Sequence, residues 1–375
     1  MATDWRFSKM KFICTKDILL NSIGIVSKAV NSTSTLDILK GIKIEVTDSV
    51  KLTGSDLDLS IESIFEADIR EKGNIIVDAR IFSDIIRKLP EGDVELYTTN
   101  DNEVKIQCKN TNFNILHLSA QGYPDIKRVE NGEKIKIYSK DLKNIIKNTI
   151  FSISTNDSRP VLTGSKFEIT KSNMKVVSID RSRLALRNQI IPETSFEELC
   201  FVVPGRVLNE LIKILKDDET IVNIEIKNNS VMFTFDTFTI IARLLEGEFF
   251  DYNKSIPSNC SIKAVIDIKP FTDMVERAAI IINYDDPKIP VILNIRNSEI
   301  NVECISKRGN FNESINIDKQ GNDLRIAIDS KLLLDALKCI EHEKAVFEFN
   351  TEISPCLIKP IDGDSFVYMV LPKRI

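Results

Sequence analysis

Histidines and activated nucleophiles carry much of the catalytic chemistry of proteins, and this chain of 375 residues has few in a useful pattern. It has two histidines. His117 lies in an alternating, strand-like run, and His342 lies between Glu341 and Glu343 beyond a helical pattern. Neither has a serine or cysteine beside it in a nucleophile turn, and no Gly-x-Ser-x-Gly motif occurs. A catalytic role for either histidine is therefore not expected.

Metal and phosphate sites are not indicated either. The seven cysteines are scattered and include no Cys-x-x-Cys pair, so no zinc site can be assembled at ligand spacing. Asp56 and Asp58 alternate with Leu57 and Leu59, and a turn or an exposed sheet edge explains them more simply than a metal. Neither type of glycine-rich phosphate loop is present. We expect no catalytic site, no metal and no cofactor.

The composition is that of a folded protein with more than one domain. Hydrophobic residues make up 43% and charged residues 28% of the chain, which excludes a disordered polypeptide. The length exceeds what one core usually holds, so two or three domains are expected. The sequence has no apolar run long enough for a membrane helix and no signal peptide at its start. Unpaired thiols favour a cytoplasmic location, and no membrane contact is expected.

One pattern occurs three times along the chain. Each copy has a β-branched strand, a turn, a basic residue and an amphipathic helix. The basic residues, Arg80, Arg206 and Lys331, are spaced 126 and 125 residues apart. A second helix opens each copy, and alternating strands follow both helices, which predicts an α+β fold of three repeated domains. The predicted domains cover residues 10–131, 132–258 and 259–375, and residues 1–9 are expected to be a non-native extension.

The predicted helices are basic although the chain as a whole is mildly acidic. Their net charge is +8, against −13 for all other residues and −5 for the chain. Helical Lys and Arg often only solvate an outward face, and that interpretation stays open. If the helices instead share one side of the molecule, that side suits non-specific, salt-sensitive contact with a polyanion. The predicted helices cover residues 16–30, 79–89, 140–151, 205–216, 269–280 and 330–339.

Several motifs in order along the chain resemble the bacterial sliding clamp family, the beta subunit of DNA polymerase III. The resemblance covers the chain from Met10 onward, and each motif is short, but together they match three domains in order. The motifs are Met10–Phe12, Leu52–Asp58, Leu118–Asp125, Val176–Ala185, Glu246–Tyr252 and Tyr368–Ile375.

The resemblance implies a ring-shaped DNA sliding clamp. Two protomers would join head to tail into a closed homodimer, with helices lining the hole and antiparallel sheets outside. Double-stranded DNA would pass through the hole and be contacted at its phosphates without base readout. The ring would serve DNA replication as processivity factor of the replicative DNA polymerase, holding the polymerase on its template by effective concentration rather than by catalysis.

The resemblance also implies a peptide-binding groove between the second and third domains. Short linear peptides of the replicative polymerase, the clamp loader and repair proteins would dock in it, on apolar walls with a few polar groups at the rim. Taken alone, without the resemblance, Leu184, Ile353 and Leu371 are better explained as core strand residues. The implied groove residues are Leu162, Ile179, Arg181, Ser182, Arg183, Leu184, Phe250, Ser255, Ile353, Pro355, Met369, Leu371, Pro372, Lys373 and Arg374.

Three parts of this groove depart from the family pattern. Arg181 and Ser182 stand where family members often have Gly-His, which makes one wall bulkier and more basic. Phe250 stands where proline is usual and would fill part of a subsite. Lys373 replaces an apolar residue in the tail.

The resemblance gives candidates for the DNA contacts and for the dimer seam. The seam would join Phe113 and Ile115 of one protomer to Ile280 and Ile281 of the other, and burial within each domain is the alternative. A family loop that usually carries a basic residue reads 32–35 Ser-Thr-Ser-Thr here. The candidate DNA-binding residues are Arg80, Arg206 and Lys331, followed by Lys143, Lys147, Arg159 and Lys213.

Two other classes of protein stay open. A monomeric scaffold of three repeated domains could bind peptides without encircling DNA, and it would have the mass of one protomer in solution. An enzyme with unrecognised acid–base chemistry would need ionisable groups converging in one cleft, and the sequence offers none that can be assembled.

Overall fold

The computed structural model describes residues 9–99, 101–156, 158–286 and 288–374. Residues 1–8 of the predicted extension and Ile375 of the C-terminal motif lie outside the described residues. Within those ranges the chain forms six α-helices and twenty-six β-strands, so the predicted α+β class is confirmed. No helix in the described part is both long and apolar enough to cross a membrane.

The six helices lie where the repeat predicts them, although two end early. The helices predicted over 16–30 and 140–151 end earlier, and a separate 3₁₀ segment follows each of them. The sequence did not reveal these ends, because the apolar spacing continues through the turn after each helix. The aspartates at 78 and 329 cap the helices that follow them by accepting backbone N–H bonds. The helices are α1 Lys16–Val26, α2 Ala79–Lys88, α3 Ser139–Lys147, α4 Gly205–Ile214, α5 Ile268–Asn283 and α6 Ser330–Leu337.

The strands are short and mostly alternate between buried and exposed side chains, as expected for sheets with one face on a core. In chain order they are β1 Lys11–Thr15, β2 Gly41–Val46, β3 Val50–Ser55, β4 Leu59–Phe65, β5 Asp68–Glu71, β6 Gly73–Asp78, β7 Asp93–Thr98, β8 Glu103–Cys108, β9 Thr111–Ser119, β10 Glu133–Tyr138, β11 Gly164–Thr170, β12 Asn173–Ile179, β13 Arg183–Ile190, β14 Glu198–Pro204, β15 Ile221–Lys227, β16 Ser230–Phe235, β17 Phe238–Arg243, β18 Ile262–Asp267, β19 Val291–Arg296, β20 Glu299–Ser306, β21 Gly309–Asn316, β22 Asp318–Gln320, β23 Leu324–Ile328, β24 Lys344–Phe349, β25 Cys356–Lys359 and β26 Phe366–Val370.

The chain divides into two compact units, and the middle predicted domain contributes to both. The first unit holds the described residues up to Ser139 together with Asp218–Leu244. Its strands form one thirteen-stranded antiparallel sheet, in the order β10-β15-β16-β17-β4-β3-β2-β6-β9-β8-β7-β1-β5. Strands of the first and middle predicted domains therefore share a sheet through the pairing of β4 with β17.

The second unit holds the described residues of 140–217 and 245–374. A nine-stranded sheet runs β14-β11-β12-β13-β26-β25-β24-β18-β22, and a four-stranded sheet runs β21-β20-β19-β23. The helices α5 and α6 pack with strands of both sheets around a large apolar core that includes Phe271, Phe347 and Tyr368. The pairing of β13 with β26 joins strands of the middle and last predicted domains in this sheet.

One hairpin recurs in both units with the same register. In the first unit Ser55 of β3 pairs with Ser60 of β4, and in the second unit Ile179 of β12 pairs with Leu184 of β13. Each turn is held by an aspartate side chain that accepts two backbone N–H bonds. Polar side chains therefore stand in one unit at the register positions that apolar side chains occupy in the other.

Candidate functional site

Four predicted groove residues meet in one apolar cluster of the second unit. Leu162, Ile179, Leu184 and Met369 are 3%, 6%, 1% and 4% exposed and belong to the same buried cluster. Strand register explains the meeting, because Ile179 pairs with Leu184 and Leu184 pairs with Met369. These side chains are core residues in their own right, and they form the apolar floor on which a groove can be built.

Three further predicted residues expose apolar surface. Phe250 is 38% and Leu371 is 37% exposed, and Ile353, in the loop between β24 and β25, is 72% exposed. Phe250 follows Phe249, which packs against the buried cluster. Exposed apolar side chains of this kind can anchor Leu or Phe side chains of a bound peptide. The other predicted positions are half-buried at Ser182, Ser255, Pro355 and Pro372 and exposed at Arg181 and Arg374.

A buried tyrosine anchors the segment that carries Phe250 and Ser255. Tyr252 is 1% exposed, and its hydroxyl donates to Glu168 Oε2 over 2.7 Å. Glu168 is also paired with Lys166 at 2.7 Å. Burial, together with the Glu168 carboxylate, raises the pKa of Tyr252, so the hydroxyl keeps the proton that it donates. No local pattern of residues points to this anchor, because Tyr252 and Glu168 are 84 residues apart.

Arg183 is engaged in contacts within the protein. Its guanidinium pairs with Asp180 at 3.0 Å and also with Asp335 of α6. It lies over the ring of Phe151, 5.4 Å from the ring centroid. With its side chain only 13% exposed, Arg183 fixes the β12–β13 turn to α6, and the exposed Arg181 is the cation of this turn that faces solvent.

The C-terminal tail is tied down on two sides. The Leu371 N–H donates to the Ser182 carbonyl over 2.8 Å, which holds the tail beside the β12–β13 turn. The Lys373 N–H donates to the Ala327 carbonyl of β23 over 2.8 Å. The Lys373 ammonium pairs with Asp329 Oδ2 at 2.7 Å. Leu371 and Pro372 are therefore held between two fixed points.

The equivalent hairpin of the first unit borders a cleft of different chemistry. Ser55 and Ser60 lie in the lining of this cleft with Ile241 and Leu57. The two serine hydroxyls are buried and hydrogen-bonded to each other at 2.8 Å. The buried serine pair of this cleft thus replaces the apolar Ile179 and Leu184 of the second unit, although Leu57 and Ile241 also line the cleft.

The predicted DNA-binding cations differ in availability. Arg80, Lys147 and Lys331 are exposed, and within the described ranges none of the three forms an ion pair. Arg159 and Arg206 are also exposed. Arg80 and Lys331 lie in the first turns of α2 and α6, and Lys147 ends α3.

Two of the predicted cations are already paired. Lys143 is 2.8 Å from Asp217, and Lys213 is 2.8 Å from Glu210. Phosphate contact by either lysine would compete with its own carboxylate, so they are weaker candidates than Arg80, Lys147 and Lys331.

The helices stay basic when their observed ends are used, but less so than predicted. Their net charge is +5 rather than +8. The predicted helices included Lys28, Lys216 and Lys338, whereas each of these lysines lies just past the end of an observed α-helix. The segregation of charge onto the helices therefore persists at a reduced size.

The predicted seam residues on β9 are exposed to different degrees. On β9, Phe113 is 37% exposed and Ile115 is half-buried. Leu116 and Leu118 of the same strand are 73% and 47% exposed and were not predicted. The sequence could have indicated them, because four of the six residues from 113 to 118 are apolar.

The other half of the predicted seam lies on α5. Ile280 is 56% exposed, whereas Ile281 is half-buried and packs against the core of the second unit. Tyr284, directly after α5, is 78% exposed and extends the apolar surface of Ile280. Burial within the domain, the alternative considered from sequence, therefore applies to Ile281 more than to Ile280.

The described residues assemble no metal centre. Among them, no three His, Cys, Asp or Glu side chains converge to hold a metal ion. Burial raises the pKa of Cys14 to about 12 and that of Cys339 to about 11, so both remain unreactive thiols near neutral pH. His342 is exposed, and the centroid of its ring lies 5.7 Å from that of Phe366.

Comparison with known proteins gives a full-length match. The sequence matches three families described as the DNA polymerase III beta subunit: its N-terminal domain over residues 10–127, its central domain over 136–251 and its C-terminal domain over 253–374. The Beta sliding clamp of Bacillus subtilis is 34% identical over 378 residues, which cover 97% of this chain and 100% of that protein. The Beta sliding clamp of Staphylococcus aureus is 32% identical over 376 residues, covering 97% and 99%.

Solved structures agree with the sequence matches. A putative DNA polymerase III beta subunit from Eubacterium rectale superposes with a TM-score of 0.94 at 36% identity, covering 98% of this chain and 100% of that one. The DNA polymerase sliding clamp from Bacillus subtilis superposes with a TM-score of 0.93 at 33% identity, with the same coverage. The antiparallel sheets and six helices described above are therefore those of three clamp domains.

Proposed function

Because this chain belongs to the DNA polymerase III beta subunit family, the bacterial sliding clamps, we propose that it is a ring-shaped processivity factor of a replicative DNA polymerase. It is an accessory subunit and not a catalytic one. In this proposal two protomers close head to tail around duplex DNA, and the ring tethers the polymerase so that brief dissociation does not end synthesis.

The observation that carries this proposal is the match over the whole chain, in sequence and in fold, to proteins named as sliding clamps. The three repeated domains and their basic helices are the features that such a ring needs. Mild basicity on the helices of an acidic protein favours loose phosphate contact over tight capture, as sliding requires.

We propose that the ring contacts DNA through the exposed helical cations. Arg80, Lys147 and Lys331 come first, because they are exposed and have no carboxylate partner among the described residues. Contacts of this kind carry no base readout, so binding should be independent of DNA sequence. Arg206 and Arg159 follow, and the paired lysines Lys143 and Lys213 complete the set in a minor role.

We propose that partner peptides dock on the second unit, over the cluster of Leu162, Ile179, Leu184 and Met369. Phe250, Ile353 and Leu371 form apolar walls, and Arg181 and Arg374 supply exposed positive charge at the rim. The peptides would come from the replicative polymerase, the clamp loader and repair proteins, and they would bind as extended chains with Leu or Phe anchors.

We propose that the seam of the dimer joins the exposed apolar surface of β9 to that of α5. Phe113 and Ile115, which share one face of β9, represent the first surface, and Ile280 and Tyr284 represent the second. Because the two surfaces differ, the contact is heterologous, and a closed ring results when its rotation closes after two protomers.

Light scattering coupled to size-exclusion chromatography tests the assembly. The ring predicts a mass of two protomers, and the monomeric scaffold predicts the mass of one, 42.5 kDa. A matched pair of variants, Ile280→Asp and Ile361→Asp, checks the seam, because both place a charge at an exposed isoleucine of the last predicted domain. Ile280→Asp should produce protomers, and Ile361→Asp should remain dimeric, since Ile361 follows β25 and lies beside β18 and β22 rather than α5.

A further inference from the structure

The strongest unexplained contact of the proposed groove is the ion pair of its tail. Lys373 Nζ lies 2.7 Å from Asp329 Oδ2, and it also donates to the Lys288 carbonyl over 3.0 Å. The side chains of Lys373 and Asp329 are 33% and 20% exposed, so the pair is partly shielded from water. Three elements thus meet at one ammonium group: the tail, the residue before α6 and the loop after α5.

An internal comparison shows that the middle repeat holds the equivalent position without an ion pair. Leu245 lies four residues after Ile241 of β17, as Lys373 lies four residues after Met369 of β26. The Leu245 N–H donates to the Val202 carbonyl over 3.0 Å, in the same way that the Lys373 N–H donates to β23. The Leu245 side chain packs on the apolar cluster instead of forming an ion pair. The middle repeat therefore secures this position with a non-directional apolar contact.

We propose that the Lys373–Asp329 ion pair is a tether that fixes the tail as one wall of the peptide groove, which makes Lys373 a positioning residue for peptide affinity. This inference rests on the proposed function. The tether acts because Leu371 and Pro372 lie between the Ser182 bond and the Lys373 anchor. A wall held in place before the peptide arrives costs less ordering free energy at binding.

The tether also joins the groove to the start of α6. Asp329 caps α6 by accepting the N–H groups of Lys331 and Leu332 over 3.0 and 3.3 Å through Oδ1, while Oδ2 faces Lys373. Arg183 makes a second link, from the β12–β13 turn to Asp335 of α6. The tail and the β12–β13 turn, which form two sides of the proposed groove, are therefore both bound to α6 or to its cap. We infer that α6 sets the distance between these two sides.

Because Asp329 both caps α6 and pairs with Lys373, one substitution can remove the ion pair and keep the cap. Asp329→Asn keeps a side-chain oxygen for the cap but removes the charge that holds Lys373, since asparagine caps helices about as well as aspartate. Lys373→Leu gives the tail the residue found at Leu245, and Lys373→Arg keeps the charge. The control is Lys263→Leu, which removes the Lys263–Glu348 pair at 2.9 Å from β18, outside the groove.

The experiment measures binding of a fluorescent peptide with Leu and Phe anchors to full-length protein by anisotropy. Lys373→Leu and Asp329→Asn should each weaken binding about three- to ten-fold, and the double variant no further than the worse single one, because both break one interaction. Lys373→Arg should stay within about two-fold of the unchanged protein. Lys263→Leu should leave the affinity unchanged.

Two further readouts separate positioning from general stability. Hydrogen exchange at the Leu371 and Lys373 amides should quicken in Lys373→Leu and Asp329→Asn but not in Lys263→Leu, with the melting temperatures of all three alike. Added salt should weaken peptide binding to the unchanged protein more than to Lys373→Leu, because only the former has the ion pair to screen.

Unchanged affinity and unchanged tail exchange in both single variants would overturn the tether, as would losses that add in the double variant. Failure of the proposed function gives a different pattern. In that case the unchanged protein would not bind the peptide at all, while tail exchange would still respond to Lys373→Leu.

Discussion

At the scale of single residues, the structure distinguishes side chains of the same type and similar position. Arg181 and Arg183 are two apart in one turn, yet Arg183 is bound to Asp180 and Asp335 while Arg181 is exposed. Arg80 and Lys143 are both helical cations, yet only Lys143 has a carboxylate partner at 2.8 Å. Local sequence does not reveal the Arg183–Asp335 and Lys143–Asp217 pairings, because those partners are far apart in the chain. Exposure and pairing are what make some candidates stronger than others.

The Glu168 carboxylate makes stability depend on pH. Burial alone would raise its pKa, but hydrogen bonds from Lys166 and Tyr252 outweigh burial and leave the pKa lowered. A lowered folded-state pKa means that the stabilisation is present above the unfolded value of about 4.3 and is lost as pH falls through the folded value. Denaturant melts should therefore show stability declining on acidification below about pH 4.5.

Glu168→Gln isolates that contribution. The amide cannot carry the charge that pairs with Lys166 at 2.7 Å, so we expect a loss of about 0.5–1.5 kcal/mol at pH 7. The loss should shrink towards pH 3, because the unchanged protein also loses this charge as the pH falls through the lowered pKa of Glu168. Glu198→Gln, at an exposed position of β14, serves as control and should have little effect at pH 7. An equal loss for Glu168→Gln at both pH values would contradict the assignment.

At the scale of elements, the threefold repeat predicted the helices and the strands that have a clear pattern of apolar residues. All six helices lie at the predicted places, and strands with clear apolar alternation, such as Gly41–Val46 after α1 and Glu103–Cys108 after α2, follow the helices as predicted. Strand β21, Gly309–Asn316, was not predicted, because exposed residues alternate in it with half-buried ones and none is fully buried. Strand β5 is four residues long and almost wholly exposed, so it has no core pattern to find.

The packing beneath the proposed groove can be explained from the sequence only in part. The family resemblance supplied its residues, and strand register then explains why Ile179, Leu184 and Met369 meet. The Tyr252–Glu168 anchor and the Lys373–Asp329 pair could not be predicted, since each joins residues far apart whose types are ordinary on a surface. Side-chain pairing across elements depends on the folded backbone and not on local spacing.

Removing the tail tests the groove at this scale. Deletion of residues 371–375 takes away the Leu371 wall and the Lys373 anchor together. We expect peptide binding to fall below detection in anisotropy, while light scattering still reports two protomers, because the proposed seam lies on β9 and α5. Peptide binding of undiminished affinity after the deletion would show that the groove is elsewhere.

At the scale of the whole molecule, a mildly acidic chain carries a basic set of helices. The six helices have a net charge of +5 in a chain of −5, so the proposed attraction to DNA depends on where the helices face in the proposed ring. In that proposal few phosphate contacts per protomer give weak and mobile binding, and retention depends on closure of the ring rather than on affinity.

Reversing charge at the repeat-related positions tests that basic set. The triple variant Arg80→Glu, Arg206→Glu and Lys331→Glu removes three exposed cations from α2, α4 and α6. Its binding to duplex DNA should weaken, and the slope of log affinity against log salt should flatten by about 0.9 for each phosphate that the protein no longer neutralises. A control with three acidic substitutions at exposed strand lysines, Lys134, Lys136 and Lys263, should change that slope much less.

Retention on circular DNA decides whether the protein encloses a duplex. Protein loaded onto a nicked circular duplex by a clamp loader of the family, and washed in high salt, should remain bound while the circle is intact. Cutting the circle once should release it, because a closed ring can then slide off an end. Release from the intact circle at the same rate as from the cut one would contradict the proposed ring, since it would mean that the protein never surrounds the DNA.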